Sequence, residues 1–259
     1  MLLRSEYVEK PWGRVELPGA FAEAGAGRRI GEVWFAAEAG RELPLLVKYI
    51  FTSEALSVQV HPDDAQAQAK GYPNGKTECW YILDAEPGAT LALGFREPVD
   101  PETLKAAALD GSIEGMMDWK PVKAGDFFYV PAGTVHAIGA GISLIEVQQQ
   151  SDVTYRLYDY GRPRELHLDD GLAVSRAEPY PAELMAHVEG SENRTLVPGP
   201  YFRLEYVADG GDASVLQDRE RWVLPLSGSA ADAGPGDCLL LEAGAPLSAT
   251  GRLLIAAAL

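Results

Sequence analysis

Three stretches of this chain carry residues able to do chemistry together. They are Ser57-Val58-Gln59-Val60-His61-Pro62, then Lys76-Thr77-Glu78, and later Gly125-Asp126-Phe127-Phe128-Tyr129-Val130-Pro131-Ala132-Gly133-Thr134-Val135-His136. Two imidazoles, a carboxylate and an amide oxygen make a mixed nitrogen–oxygen donor set for one divalent ion. Zn2+ suits it well, with Mn2+, Fe2+, Co2+ and Ni2+ as competitors. Protein ligands that do not close the coordination sphere leave a position for water or substrate, as in catalytic zinc sites. Cationic side chains beside such an ion point to chemistry on an anionic, oxygen-rich small molecule. His167 and His187 have no comparable company and read as structural residues.

These groups must be positioned by strands. Alternate residues of a strand share a face, so Ser57, Gln59 and His61 point one way while Leu56, Val58 and Val60 anchor the other side. Pro62 then ends the ladder. The same parity groups Lys76 with Glu78 and Trp80, and Glu146 with Gln148, Gln150 and Asp152 if that strand runs unbroken. Short β-like runs recur along the chain between Gly, Pro, Asp and Asn, among them Glu32–Ala36, Leu45–Phe51, Glu78–Leu83, Thr90–Leu93, Phe127–Val130, Ile142–Gln149, Phe202–Val207, Arg221–Leu226 and Leu253–Ala256. Many short strands with such punctuation predict an all-β sandwich or barrel. Only Asp100–Met117 breaks the rhythm. It is rich in helix formers, with Pro101 suited to a helix start, and predicts one or two short helices.

The chain has 259 residues and a formal charge of −16. Nucleic-acid phosphates are repelled by that charge at range. An anionic metabolite needs a local cationic pocket, which works because screening sets in beyond roughly 10 Å at physiological salt. Cys79 and Cys238 make no disulfide framework and fit a reducing compartment. Residues Met1 to Lys10 lack the apolar run of a secretory signal, and the most apolar stretch, Leu43–Phe51, is too short to span a bilayer. The expectation is a cytoplasmic protein with neither membrane nor nucleic-acid partners.

The second metal half-motif resembles the cupin signature: Gly125, five residues, Pro131, one residue, Gly133, two residues, His136. In the first, Gln59 stands where many cupins carry a histidine. That departure, with the strings Leu56–Asp64, Gly75–Leu83 and Val130–Ile138, resembles the type I mannose-6-phosphate isomerases. Lys10-Pro11-Trp12-Gly13, Ile30-Gly31-Glu32-Val33-Trp34 and Ser151-Asp152-Val153-Thr154-Tyr155-Arg156-Leu157-Tyr158-Asp159-Tyr160 extend the likeness over about residues 7–165.

The resemblance implies that Gln59, His61, Glu78 and His136 bind one zinc ion. It further implies that Lys48, Lys76, Glu146, Asp152 and Arg156 serve catalysis, with Ser57, Lys76 and Arg156 at the substrate. The implied reaction interconverts mannose 6-phosphate and fructose 6-phosphate by an enediol-type proton transfer; the base stays open among these carboxylates and lysines. Two other functions stay open: a cupin acting on another sugar or small acid, and a metal-containing sugar-phosphate sensor without turnover. The implied fold is a cupin jelly roll over residues 1–165 with a short helical insert near 100–117. A smaller, metal-free jelly-roll-like unit over 166–259 is expected next, since Gly236–Pro246 echoes the second half-motif without its histidine. The family's longer members insert a helical domain between the residues matching Glu78 and His136; if those helices help close over the substrate, the short stretch here implies a difference in specificity or loop gating.

Overall fold

The computed structural model describes residues 1–23, 27–38, 41–188 and 190–259. Strands dominate, as expected, and no helix among the described residues is long and apolar enough to cross a membrane. The chain forms two compact units. One comprises residues 1–51, 145–148 and 187–259, and the other residues 52–144 and 149–186.

In the first unit, the antiparallel strands Arg4–Arg14, Ile30–Ala36 and Leu45–Phe51 lie side by side. A second sheet has the order Arg194–Val197, Phe202–Val207, Leu253–Ala258, Arg221–Pro225, Leu239–Leu241. Val207, Val223, Leu239, Leu253 and Ile255 form part of its core.

The second unit is built on a five-stranded sheet in the order Tyr155–Tyr158, Val58–Val60, His136–Ile138, Thr90–Phe95, Met117–Pro121. Its two faces differ in character. Val58, Val60, Ala92, Ala137, Tyr155 and Leu157 join a core with Leu104, Ala107, Ala108, Ile113 and Val174 from the helices. The predicted helical stretch therefore exists, as Pro101–Asp110 and Ile113–Met116. Asp100 caps it by accepting from the Glu102 and Thr103 amides, Pro101 occupies its first turn, and Gly111 ends it in the left-handed region. These helices pack on the apolar face of the sheet. A further pair of strands, Glu78–Ala85 and Asp126–Val130, runs antiparallel with Glu78 opposite Val130 and Trp80 opposite Phe128.

Among the described residues, two α-helices lie where none was expected. Asp64–Ala69 starts from a capping box in which Asp63 and Gln66 satisfy each other's main-chain amides. Leu168–Val174 packs Val174 into the core beneath the five-stranded sheet, with Leu168 and Leu172 against it. The Ile142–Gln149 strand also stops earlier than the parity argument required, so Asp152 is not on it and shares no strand face with Glu146.

Candidate metal centre

The polar face of the five-stranded sheet carries a row of side chains. Arg156 lies opposite Gln59, Gln59 opposite His136, and His136 opposite Leu93. Residues directly opposite in an antiparallel pair project from the same face. His61 comes two residues after Gln59, and the Pro131–Gly133 turn leads into His136. Gly133 holds φ +87°, with its amide donating to the His61 carbonyl at 2.8 Å.

Glu78 faces this row from the start of its own strand. Nitrogens of His61 and His136 and a carboxylate oxygen of Glu78 all lie within 4.8 Å of one another. His61 Nε2 is 3.7 Å from Glu78 Oε2 and His136 Nε2 is 3.4 Å from Glu78 Oε1. The three side chains are at most 2% exposed. Trp80 packs edge-on against the His136 ring at 5.2 Å, closing that side with hydrocarbon.

The main chain sets the imidazole tautomers. His61 Nδ1 lies 2.8 Å from the Val153 carbonyl and His136 Nδ1 lies 2.9 Å from the Thr134 carbonyl. A carbonyl only accepts, so each Nδ1 carries its proton and donates. In a neutral ring this leaves the Nε2 lone pair aimed at the Glu78 carboxylate. Acceptors facing acceptors in a buried site call for a cation between them, and a hydrogen bond from the second ring nitrogen is the usual support of a ligating histidine. The donor set therefore fits a divalent metal ion. The Lys76 ammonium also belongs to the cluster, paired with Glu78 and 3.1 Å from His61 Nε2.

Gln59 stands beside the triad with its amide nitrogen 3.2 Å from His136 Nε2, while Ser57 Oγ donates to its Oε1 at 3.1 Å. Rotation of the amide by half a turn presents the oxygen to the same centre. Lys76 reaches the site because its loop is docked on the segment after His61. Its amide donates to the Pro62 carbonyl at 3.0 Å. Asp64 accepts from the Gly75 amide and the Gln149 side chain, each at 2.8 Å, and Gln149 Oε1 accepts from the Thr77 amide at 2.9 Å. Gly75 is required there, since a Cβ would sit 2.4 Å from the Asp63 carbonyl carbon.

The remaining expected residues fall into two groups. Asp152 is exposed, next to the Val153 carbonyl that orients His61. Arg156 is half-buried; burial and the neighbouring Arg164 guanidinium hold it below its ordinary pKa, against the opposing pull of Asp159, Asp152 and Glu165. Lys48 and Glu146 belong to the other compact unit, where Lys48 Nζ is 2.9 Å from Glu146 Oε1 and both are buried. Glu32, not singled out individually from the sequence, joins them. It pairs with Lys10 at 3.2 Å and accepts from the Trp34 indole. Burial alone raises the Glu32 pKa, but Lys48, Lys10 and Trp34 outweigh it and hold the carboxyl below its ordinary range. The Lys10-Pro11-Trp12-Gly13 and Gly31-Glu32-Val33-Trp34 strings are the available signal for this cluster. For the Val153 and Thr134 carbonyls, main-chain groups, the sequence carries none.

No family model matches the chain. The mannose-6-phosphate isomerase of Streptococcus mutans is 44% identical over 169 residues, covering 61% of this chain and 52% of that protein. Mannose-6-phosphate isomerase ManA of Bacillus subtilis is 39% identical over 209 residues, covering 74% of this chain and 66% of that protein. The chain thus spans between about half and two thirds of the length of these curated relatives. Among solved structures, the mannose 6-phosphate isomerase of Bacillus subtilis superposes with a TM-score of 0.78 at 28% identity, covering 98% of both chains. The architecture is accordingly the cupin fold. From the ordered motifs, the folded frame and these relatives, the chain belongs to the mannose-6-phosphate isomerase family.

Proposed function

We propose that the chain is a metal-dependent aldose–ketose isomerase that interconverts mannose 6-phosphate and fructose 6-phosphate in the cytoplasm. The observation that carries this reading is the convergence of His61, Glu78 and His136, with tautomers set by main-chain carbonyls, in a relative of enzymes bearing that name. His61, Glu78, His136 and Gln59 would hold the ion, and zinc is the best match to two imidazoles, a carboxylate and an amide oxygen. When bound, such an ion supplies Lewis-acid stabilisation of negative charge developing on the sugar oxygens.

The reaction transfers a proton from C2 to C1 of the open-chain sugar and another between the two oxygens, so it needs a donor and an acceptor close to those atoms. Lys76, beside Glu78 and His61, offers a buried ammonium to the oxygen end. Asp152, adjoining the Val153 carbonyl, offers a carboxylate. The buried Lys48–Glu146 couple, 2.9 Å apart, is a donor–acceptor pair suited to proton exchange, and its role rests on the family resemblance. Arg156, in the same cross-strand row as Gln59 and His136, orients the anionic substrate. Ser57 holds the Gln59 amide by its hydrogen bond and faces the same pocket. A coupled assay of mannose 6-phosphate turnover, with and without added Zn2+, tests the proposal. Zinc-stimulated formation of fructose 6-phosphate is expected; binding without conversion, or consumption of O2, would replace it with a sensor or an oxygenase.

A further inference from the structure

The segment after His61 is tied to both of its neighbours at the metal centre. The Gly133 amide donates to the His61 carbonyl at 2.8 Å, and the Lys76 amide to the Pro62 carbonyl at 3.0 Å. A third bond closes the ring. The Ala132 amide donates to the Thr77 hydroxyl at 3.1 Å. Segments 61–62, 76–77 and 132–133 are thereby joined pairwise, and each leads to one donor of the triad. His61 lies in the first, Glu78 follows the second, and the turn of the third runs on to His136.

The three ties differ in kind. Two join main-chain groups and are indifferent to side-chain identity. The third depends on one hydroxyl, and it is needed where a ladder stops. Glu78 pairs with Val130, so the next position of that register falls at Pro131, which has no amide to give. The chain turns there, and the buried Ala132 amide is left to a side chain. Thr77 is 2% exposed and its main chain is already engaged. Its amide donates to Gln149 Oε1 at 2.9 Å, and its carbonyl accepts from the Gln149 amide at 3.1 Å. That clamp holds the residue while its hydroxyl grips the turn.

From the turn the effect reaches a ligand. The Thr134 amide donates to the Pro131 carbonyl at 3.1 Å, and the Thr134 carbonyl accepts from His136 Nδ1 at 2.9 Å. A shift of the turn relative to Glu78 therefore carries the His136 ring with it, against a carboxylate oxygen 3.4 Å from its Nε2. Metal–ligand bonds of about 2.0–2.2 Å tolerate little of this, and the supporting groups must hold donors to within about 0.5 Å.

We propose that Thr77 is a positioning residue of the metal centre. Its hydroxyl, by holding the Ala132 amide, fixes the spacing of His136 from Glu78 that a divalent cation requires. This role presupposes that the triad holds such an ion, and it adds a residue that ligand chemistry does not select.

The test uses the full chain as wild type, Thr77→Val and Thr77→Ser. Zinc affinity is read by chelator competition, ligand arrangement by the absorption spectrum of the Co2+-loaded protein, and stability by melting with and without zinc. Thr77→Val keeps the shape and removes the acceptor. Zinc affinity is expected to fall about tenfold or more, as when an outer partner of a metal ligand is lost. The Co2+ bands should shift with the altered arrangement, and Thr77→Ser should restore both affinity and spectrum. Unchanged zinc affinity in folded Thr77→Val overturns the proposal, as does an equal loss in Thr77→Ser. A purely structural hydroxyl would lower both melting temperatures alike and leave affinity and spectrum unmoved, which overturns it too. If Thr77→Val does not fold, Thr77→Ala is read in its place. Failure of both beside a folded Thr77→Ser assigns the hydroxyl to the fold and refutes the positioning role. A wild type that takes up no divalent ion fells the metal reading and this role together. Tight binding by the wild type with an indifferent Thr77→Val fells this role alone.

Discussion

The metal triad and Arg221 both bury strongly polar groups, and they do so in opposite ways. Arg221, 0% exposed, donates to the Ala213, Val215 and Ala245 carbonyls at 3.3, 3.2 and 2.6 Å. Each of these contacts, all made by Nη1 and Nη2, sets a donor against an acceptor, and the result is a staple among loops in which only Nε is left without a hydrogen bond. At the triad the donors are satisfied first, by the Val153 and Thr134 carbonyls, and the acceptors are turned inward against one another. The Lys76 ammonium answers part of that negative potential. Burial of polarity is thus common to both places. What separates a structural site from a chemical one is whether the convergent atoms satisfy each other or require a cation from outside their own set.

The contrast can be broken by single substitutions. His136→Ala should give the largest effect, lowering metal affinity by more than about 100-fold, since loss of an outer hydrogen bond alone costs about 10–100-fold. Chelator competition measures it, and mannose 6-phosphate turnover should disappear while the fold survives. Metal affinity like that of the wild type would remove His136 from the ligand set. Arg221→Ala should do the opposite: lose about 3 kcal/mol of stability by stranding buried carbonyls, with metal affinity untouched. Denaturant unfolding and the same chelator titration read the two quantities; a variant as stable as the parent would mean that water replaces the guanidinium.

The smallest effect belongs to the surface. Hydrogen bonds from Thr103 and from the Thr103 and Glu102 amides hold the Asp100 carboxyl below its ordinary pKa. A carboxyl depressed in the folded state stabilises it fully above the unfolded value and loses that contribution as pH falls through the folded one. Asp100→Ala should therefore lower the melting temperature slightly at neutral pH and converge with the parent in acid. Melts at about pH 7 and below about pH 3 check this, and a difference that persists in acid would assign the cap a role independent of charge.

Much of the site is legible before folding because chemistry and period coincide there. Ser57, Gln59 and His61 are spaced by two, and the Pro-Ala-Gly turn announces His136. The helices at Asp100–Met117 are equally plain from Pro101 and the run of helix formers. The helix at Asp64–Ala69 escapes such reading although Asp63 and Gln66 have capping-box spacing; six residues are too few for an apolar stripe to register. Alternation would group Asp152 with Glu146 only if their strand ran unbroken; it ends at Gln149, and a period of two carries no information on where a strand ends.

Residue type and order by themselves determined the donor set, the strand-rich class and the local charge. They do so because ligand chemistry and side-chain alternation are properties of short segments. Folding alone decided which nitrogen of His61 faces inward and which face of the sheet the helices cover. Each of these depends on contacts between residues far apart in the chain, which leave no trace in local pattern.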